Sequence, residues 1–293
     1  MATHLVTVSV AGDSAIPFGI EVGAAYELIG PDGTRVSWNN PADRDFIGYV
    51  SDITGLDGPD VRESSELLVE GDGGRHFDFY HGRRPITISG LFNPNIYGAA
   101  AARNITRLLR ATNAMRGDAY LRWTATGAQR VEVAVRRTSP PRITGQRAKS
   151  FLIGMTAADP RIYGVTTNTL ANGIVYNGYT GLAYAAVSAS NVGSVATFPT
   201  ISVLGPVTNP VLTNSTSGKV LSLTRTIAAG DRVDLDFTNR TIKTQAGTSI
   251  YSALNYTTSE WWPVNPGANT VTLTGTFVST AAQLSVGWRD AWL

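Results

Sequence analysis

The sequence predicts a mainly β protein in two parts, an N-terminal β-sandwich or barrel with one flanking helix over residues 1–164 and an antiparallel β-sandwich over residues 165–293. Three observations carry that prediction. Apolar and polar residues alternate in many short runs, the period of a half-buried strand. A single stretch, Ala99 to Met115, repeats its apolar residues at helical spacing. The chain also changes character at Ala157-Ala158-Asp159-Pro160-Arg161-Ile162-Tyr163-Gly164: 35 Lys, Arg, Asp and Glu residues lie within residues 1–164 and 11 after them. A charged half followed by a nearly uncharged half rich in Thr, Ser, Asn and Gly implies two domains that meet solvent differently.

The elements follow in chain order. Gly71-Asp72-Gly73-Gly74-Arg75-His76 fits neither GxGxxG nor P-loop spacing and precedes no helix, so it reads as a hairpin tip or subunit arm. Pro85 to Phe92 reads as a strand. The helix over Ala99–Met115 stacks Ile105, Leu108, Leu109, Thr112 and Met115 on one face and places Arg103, Arg107 and Arg110 on the complementary surface, with Gly117 suited to a C-terminal cap. Arg130 to Arg136 sets Val131, Val133 and Val135 on one strand face, and Ser150 to Met155 is a further strand. Beyond residue 164 the strand runs are Thr200–Leu204, Leu221–Thr224, Arg232–Phe237, Asn269–Leu273 and Gln283–Trp288, separated by turn signals at Gly205-Pro206, Asn209-Pro210, Ala229-Gly230-Asp231 and Pro266–Asn269. No helix is expected there.

Composition excludes several classes of function. With no cysteine, disulfides, thiolate zinc sites and cysteine nucleophiles are ruled out. No run approaches the eighteen or so apolar residues of a spanning helix, and Met1 to Thr7 lacks a basic segment followed by an apolar one, so a soluble protein made in cytosol, without membrane insertion, is expected. Charge is segregated along the first half. Residues 1–82 hold 4 basic and 14 acidic groups, and residues 83–149 hold 13 basic and 2 acidic. The basic stretch has the composition of a phosphate-binding surface. The acidic partner segment lies in the same domain, however, and can neutralise it within the fold or across a subunit contact, so no nucleic-acid recognition is expected.

The sequence holds no catalytic, cofactor-binding or metal constellation. His4, His76 and His81 follow no metal-ligand spacing, and no GxSxG elbow accompanies them. Asp57 with Asp60 and Glu63 with Glu66 are spaced carboxylates without a defined cleft. Asp234 and Asp236 share a strand face opposite Val233, Leu235 and Phe237, which reads as a solvated face. Trp261, Trp262, Trp288 and Trp292 put four of the six tryptophans in the last thirty-three residues. They serve a core or interface, or else a platform for glycan or protein contact.

These residues carry a resemblance. Gly82-Arg83-Arg84-Pro85-Ile86-Thr87-Ile88-Ser89-Gly90, the Asp159–Gly164 exit, Phe198-Pro199-Thr200-Ile201, Gly205-Pro206, Asn209-Pro210, Gly230–Asp236, Asn239-Arg240-Thr241-Ile242 and Trp261–Asn269 resemble the distal tail proteins of long, non-contractile-tailed bacteriophages. The resemblance implies a tail-tube-like N-terminal domain that forms a homohexameric ring, and a galectin-like or carbohydrate-module-like C-terminal sandwich. It implies an adaptor in the virion tail tip that joins the tail tube protein, the tape measure protein and the hub, and sometimes receptor-binding proteins. It brings no catalytic residues and no cofactor. A ring needs contacts between two different surfaces, and the segregated charge supplies complementary ones, with Arg103, Arg107 and Arg110 as candidate ring-interface residues. The competing readings are a carbohydrate-binding module for host cell-surface glycans and a glycoside-cleaving enzyme.

Overall fold

The computed structural model describes residues 24–67, 74–124, 129–145, 149–176 and 183–293. Its backbone falls into two compact units that change over between Val165 and Thr166.

The strands of the first unit are β1 (Tyr26–Ile29), β2 (Arg35–Trp38), β3 (Phe46–Thr54), β4 (Val61–Leu67), β5 (Gly74–His81), β6 (Arg84–Phe92), β7 (Ala119–Thr124), β8 (Arg130–Arg137), β9 (Arg142–Thr144), β10 (Ser150–Ala157) and β11 (Ile162–Gly164). Seven of them close into a barrel in the order β8-β7-β1-β2-β3-β6-β10, because β10 returns to β8 through Met155–Arg137 and Thr156–Arg136. Alternation fills the interior: Ile86 and Ile88, Val131, Val133 and Val135, and Phe151, Ile153 and Met155 are all buried. The pairing of β2 with β3 is parallel across a short connection. Asn39, at φ 62, makes that possible, since its amide donates to the Ala24 carbonyl at 2.9 Å and its side-chain oxygen accepts from the Val50 N–H at 2.9 Å. Strands β4 and β5 form a separate antiparallel hairpin that pairs with no other described strand. The glycine-rich loop overlaps its tip, most of which lies outside the described residues.

The helix α1 spans Gly98–Ala111 and buries Leu108 and Ala111. It packs beside the β1–β2 turn so closely that a Cβ on Gly30 would lie 2.7 Å from the Ala111 Cα. The sequence predicts a helix that runs on to Met115, whereas it stops four residues earlier. Thr112 donates its hydroxyl to the Leu108 carbonyl at 2.8 Å, and the Asn113 side chain accepts from the Met115 N–H, starting a 3-10 turn over Ala114–Arg116. Met115 therefore leaves the apolar face and is 93% exposed, Leu109 is exposed too, and Gly117, at φ 129, ends the 3-10 turn instead of the helix.

In the second unit, β12 (Asn168–Gly173), β15 (Thr200–Leu204), β19 (Arg232–Asp236), β20 (Thr241–Thr244) and β22 (Gln283–Trp288) form one antiparallel sheet in the order β12-β22-β15-β19-β20. A second contains β13 (Val175–Tyr176), β14 (Ala183–Asn191), β16 (Val207–Asn214), β17 (Lys219–Ser222), β18 (Thr226–Ile227) and β21 (Gly267–Phe277). Val187, Leu212, Val271 and Leu273 of the second share one core with Ile201, Val203, Leu235 and Val286 of the first. The expected strand at Leu221–Thr224 lies at Lys219–Ser222. Asn209-Pro210 is not a turn but a bulge inside β16: the pairing with β21 shifts between Thr208 and Val211, where Asn209 adopts φ 52 and Pro210 has no N–H to offer.

Candidate functional site

Part of the segregated charge is matched inside the chain. Arg107 on α1 pairs with Asp45 and donates to the Arg35 carbonyl at 3.1 Å. Arg35 bonds Glu27, reaches Asp43 at 2.6 Å and Asp45 at 3.1 Å, and the other Glu27 oxygen takes Arg130. Asp32 holds Arg110 at 3.3 Å and Arg116 at 3.7 Å. Acidic residues before position 82 thus neutralise basic residues after it within the fold. Burial acts to raise the Asp45 carboxyl, but the Arg107 hydrogen bond and the charges of Arg107, Arg44 and Arg35 outweigh it, leaving Asp45 below the ordinary carboxylate value. Hydrogen bonds from Thr34, with a smaller contribution from Arg110, lower Asp32 likewise.

Arg103, Arg107 and Arg110 therefore differ. Arg107 adjoins Leu108 and lies one turn from Ala111, so it flanks the buried face and sits half-buried, rather than on the outer surface the sequence suggests. Arg110 is exposed with a carboxylate partner. Arg103 is exposed and has no carboxylate partner among the described residues.

The barrel also carries an outward apolar strip. Tyr49 on β3 pairs with Leu91 on β6, and Leu152 of β10 lies diagonal to Leu91, since β10 pairs Ser150 with Leu91 and Leu152 with Ser89. All three are exposed. The readable signal was Leu91 and Leu152 standing in the outward phase of strands whose inward phase is already apolar.

The tryptophans are mostly interior. Trp262, Trp288 and Trp292 are buried, and the Trp288 Nε1 donates to the Ser190 carbonyl at 3.0 Å. Trp261 is half-buried, edge-on to Phe237 at 4.9 Å and stacked on Tyr251 at 6.4 Å. Trp261 and Trp262 lie in a loop, Trp262 toward the core and Trp261 at its rim. Among the four, only Trp261 is placed to meet a ligand in this unit.

The enzymatic readings gain nothing from the geometry. His4 and the His76 side chain lie outside the described residues, and His81 is exposed. Asp234 accepts from the Ser202 hydroxyl at 2.6 Å and from the Arg232 Nε at 2.9 Å, and Asp236 accepts from the Asn239 amide at 2.6 Å. The two carboxylates stand side by side on one strand, whereas a glycosidase needs a pair flanking the scissile bond. They are half-buried and held by neighbours, not freely solvated as the sequence suggests.

Residues 192–292 match the family model of the siphovirus-type tail component, C-terminal domain. No curated protein sequence matches. Among solved structures the chain is similar to Dit (gp 19.1) of phage SPP1, described as a paradigm of the hub adsorption apparatus in phages infecting Gram-positive bacteria, with TM-score 0.67 and 16% identity over 92% of this chain and 99% of that one. It also aligns with a chain of the phage P2 baseplate in its activated, calcium-bound conformation, with TM-score 0.49 and 9% identity over 91% of this chain and 97% of that one. The resemblance to siphophage distal tail proteins is borne out by the family match over residues 192–292, which take in the motifs from Phe198 to Asn269 but not Gly82–Gly90 or Asp159–Gly164, and the likeness to SPP1 Dit shows the shared fold.

Proposed function

We propose that this chain is a structural adaptor of the virion tail tip, whose residues 1–164 form a homohexameric ring and whose residues 165–293 form a galectin-like sandwich. The ring joins the tail tube and tape measure proteins to the hub and to receptor-binding proteins, after assembly in the bacterial cytoplasm. The tail-component match over residues 192–292 supports the coarse role. The observation that carries the ring is the surface of the first unit. A closed barrel has no free edge at its seam and needs no partner to complete its core, yet this one bears a two-stranded hairpin that pairs with no other described strand and an exposed strip of Tyr49, Leu91 and Leu152. An isolated hairpin is marginal in water, so packing against a neighbouring subunit stabilises it. Negative-stain images and the mass of the purified chain test this. A sixfold ring is expected, and replacing residues 62–80 by a short Gly/Ser turn should leave the barrel folded and abolish the ring. A wild-type chain that stays monomeric at micromolar concentration sinks the proposal.

A further inference from the structure

The second unit is nearly uncharged, with 11 Lys, Arg, Asp and Glu residues over positions 165–293. Six of them converge. Arg225, Asp231, Arg232, Asp234, Asp236 and Lys243 line two open depressions of the surface, of about 350 and 380 Å³, that share Arg232. The second crosses β15, β19 and β20, where the registers align Ser202 with Asp234 and Lys243 in one row, and Thr200 with Asp236 and Thr241 in the next. Antiparallel partners share a face, so both rows stand on the side of the sheet away from the core.

We propose that this cleft binds a saccharide. The inference goes beyond the adaptor role and does not depend on it. Strands about 4.8 Å apart and rows about 6.7 Å apart make a grid on which carboxylates, hydroxyls and an ammonium alternate. That arrangement fits a ligand dense in hydroxyls, each of which both donates and accepts. The carboxylates are preorganised: Ser202 and Arg232 hold Asp234, while Asn239 holds Asp236 through its N–H at 3.0 Å and its side-chain amide at 2.6 Å. An ionised carboxylate offers about four acceptor sites, so these contacts fix its orientation and leave capacity for sugar hydroxyls. Lys243 is exposed and has no ion-pair partner among the described residues, which leaves its ammonium to donate.

Other ligand classes fit less well. A nucleic-acid backbone would bring its phosphates against Asp231, Asp234 and Asp236. An added peptide strand would need the outer edge of β20, but Lys243 already bridges to Ser249, the Thr244 N–H donates to the Thr248 carbonyl at 2.9 Å, and the Ile250 N–H donates to the Ile242 carbonyl at 2.9 Å. The aromatic rim of Tyr251, Tyr256 and Trp261 is the alternative sugar platform, and it serves as the internal control.

The test uses the full chain on a printed array of neutral, amino-sugar and uronic-acid oligosaccharides, followed by calorimetry with the best binder. Ring mass and melting temperature are recorded on the same samples, so loss of assembly and loss of binding are read separately. Wild type should bind at least one class. Asp234→Asn combined with Asp236→Asn should weaken binding by about tenfold or more, because it removes charge-assisted hydrogen bonds. Should that pair melt early, Lys243→Ala serves in its place, its side chain being exposed and unpaired, with a several-fold loss expected. Tyr256→Ala should bind as wild type does. No saccharide bound at millimolar concentration overturns the proposal, as does binding that survives both cleft variants and falls with Tyr256→Ala.

Discussion

Arg84 is the residue whose environment departs furthest from its chemistry. It is wholly buried, yet no carboxylate among the described residues contacts it. Its guanidinium donates to the carbonyls of Pro160 at 2.8 Å, Leu56 at 2.8 Å and Gly55 at 3.0 Å, and one Nη has no partner. Burial lowers its pKa, and Asp57 opposes that shift. Two strand-end segments are thereby tied to β6 through one side chain. Arg84→Met would remove an expensive buried cation but orphan three carbonyls, and the second effect wins. A loss of about 2–4 kcal/mol in urea unfolding is expected. Arg84→Lys should recover little, because a single ammonium cannot span the fork. Asp45 gives a pH signature. Its folded pKa lies below its ordinary value of 3.8, so its stabilisation is complete above that value and fades as pH falls through the lower folded one. The stability gap between wild type and Asp45→Asn should be widest near neutrality and close in acid. A gap constant from pH 7 to pH 2 would remove the ion pair from the account.

At the scale of elements, the legible parts were those whose pattern is local. Val131, Val133 and Val135 announced β8, and Ile86 and Ile88 announced β6, because a strand half-buried in a barrel must alternate. Barrel closure was not readable, since it rests on two residue pairs between β8 and β10, and neither residue type encodes a partner. Nor was the β2–β3 pairing, which depends on one left-handed asparagine. The candidate site fared less well. Spacing placed Arg103, Arg107 and Arg110 together on α1, but which of them finds an acid depends on β1, β2 and the loop after β2, folded from distant sequence. Their substitutions should therefore separate. Arg107→Glu sets a carboxylate against Asp45 and Asp43 and should lower the melting temperature by several degrees, since like charges replace a partly buried pair. Arg103→Glu, with no partner to lose, should leave stability within about 0.5 kcal/mol. Equal destabilisation by the two would mean that helix propensity, not pairing, governs this surface.

For the whole molecule the question is what would hold the proposed ring. Segregated charge first pointed to an electrostatic seam, with acidic and basic segments meeting across subunits. Glu27–Arg130, Asp45–Arg107 and Asp32–Arg110 pair within one chain, and the apolar residues exposed on the barrel strands include Tyr49, Leu91 and Leu152. Salt distinguishes the two arrangements. Screening shortens from about 8 Å at physiological ionic strength to about 3 Å at 1 M, so a seam of exposed ion pairs would weaken and an apolar one would not. Ring mass should hold between these conditions, Arg103→Glu should assemble normally, and Leu91→Asp should yield monomers that melt close to wild type, its side chain being already exposed. The N-terminal unit alone, residues 1–165, should still assemble. A ring that dissociates at 1 M salt while Leu91→Asp assembles would return the seam to Arg103 and its neighbours. An N-terminal fragment that stays monomeric while the full chain forms rings would instead place an indispensable contact in residues 166–293.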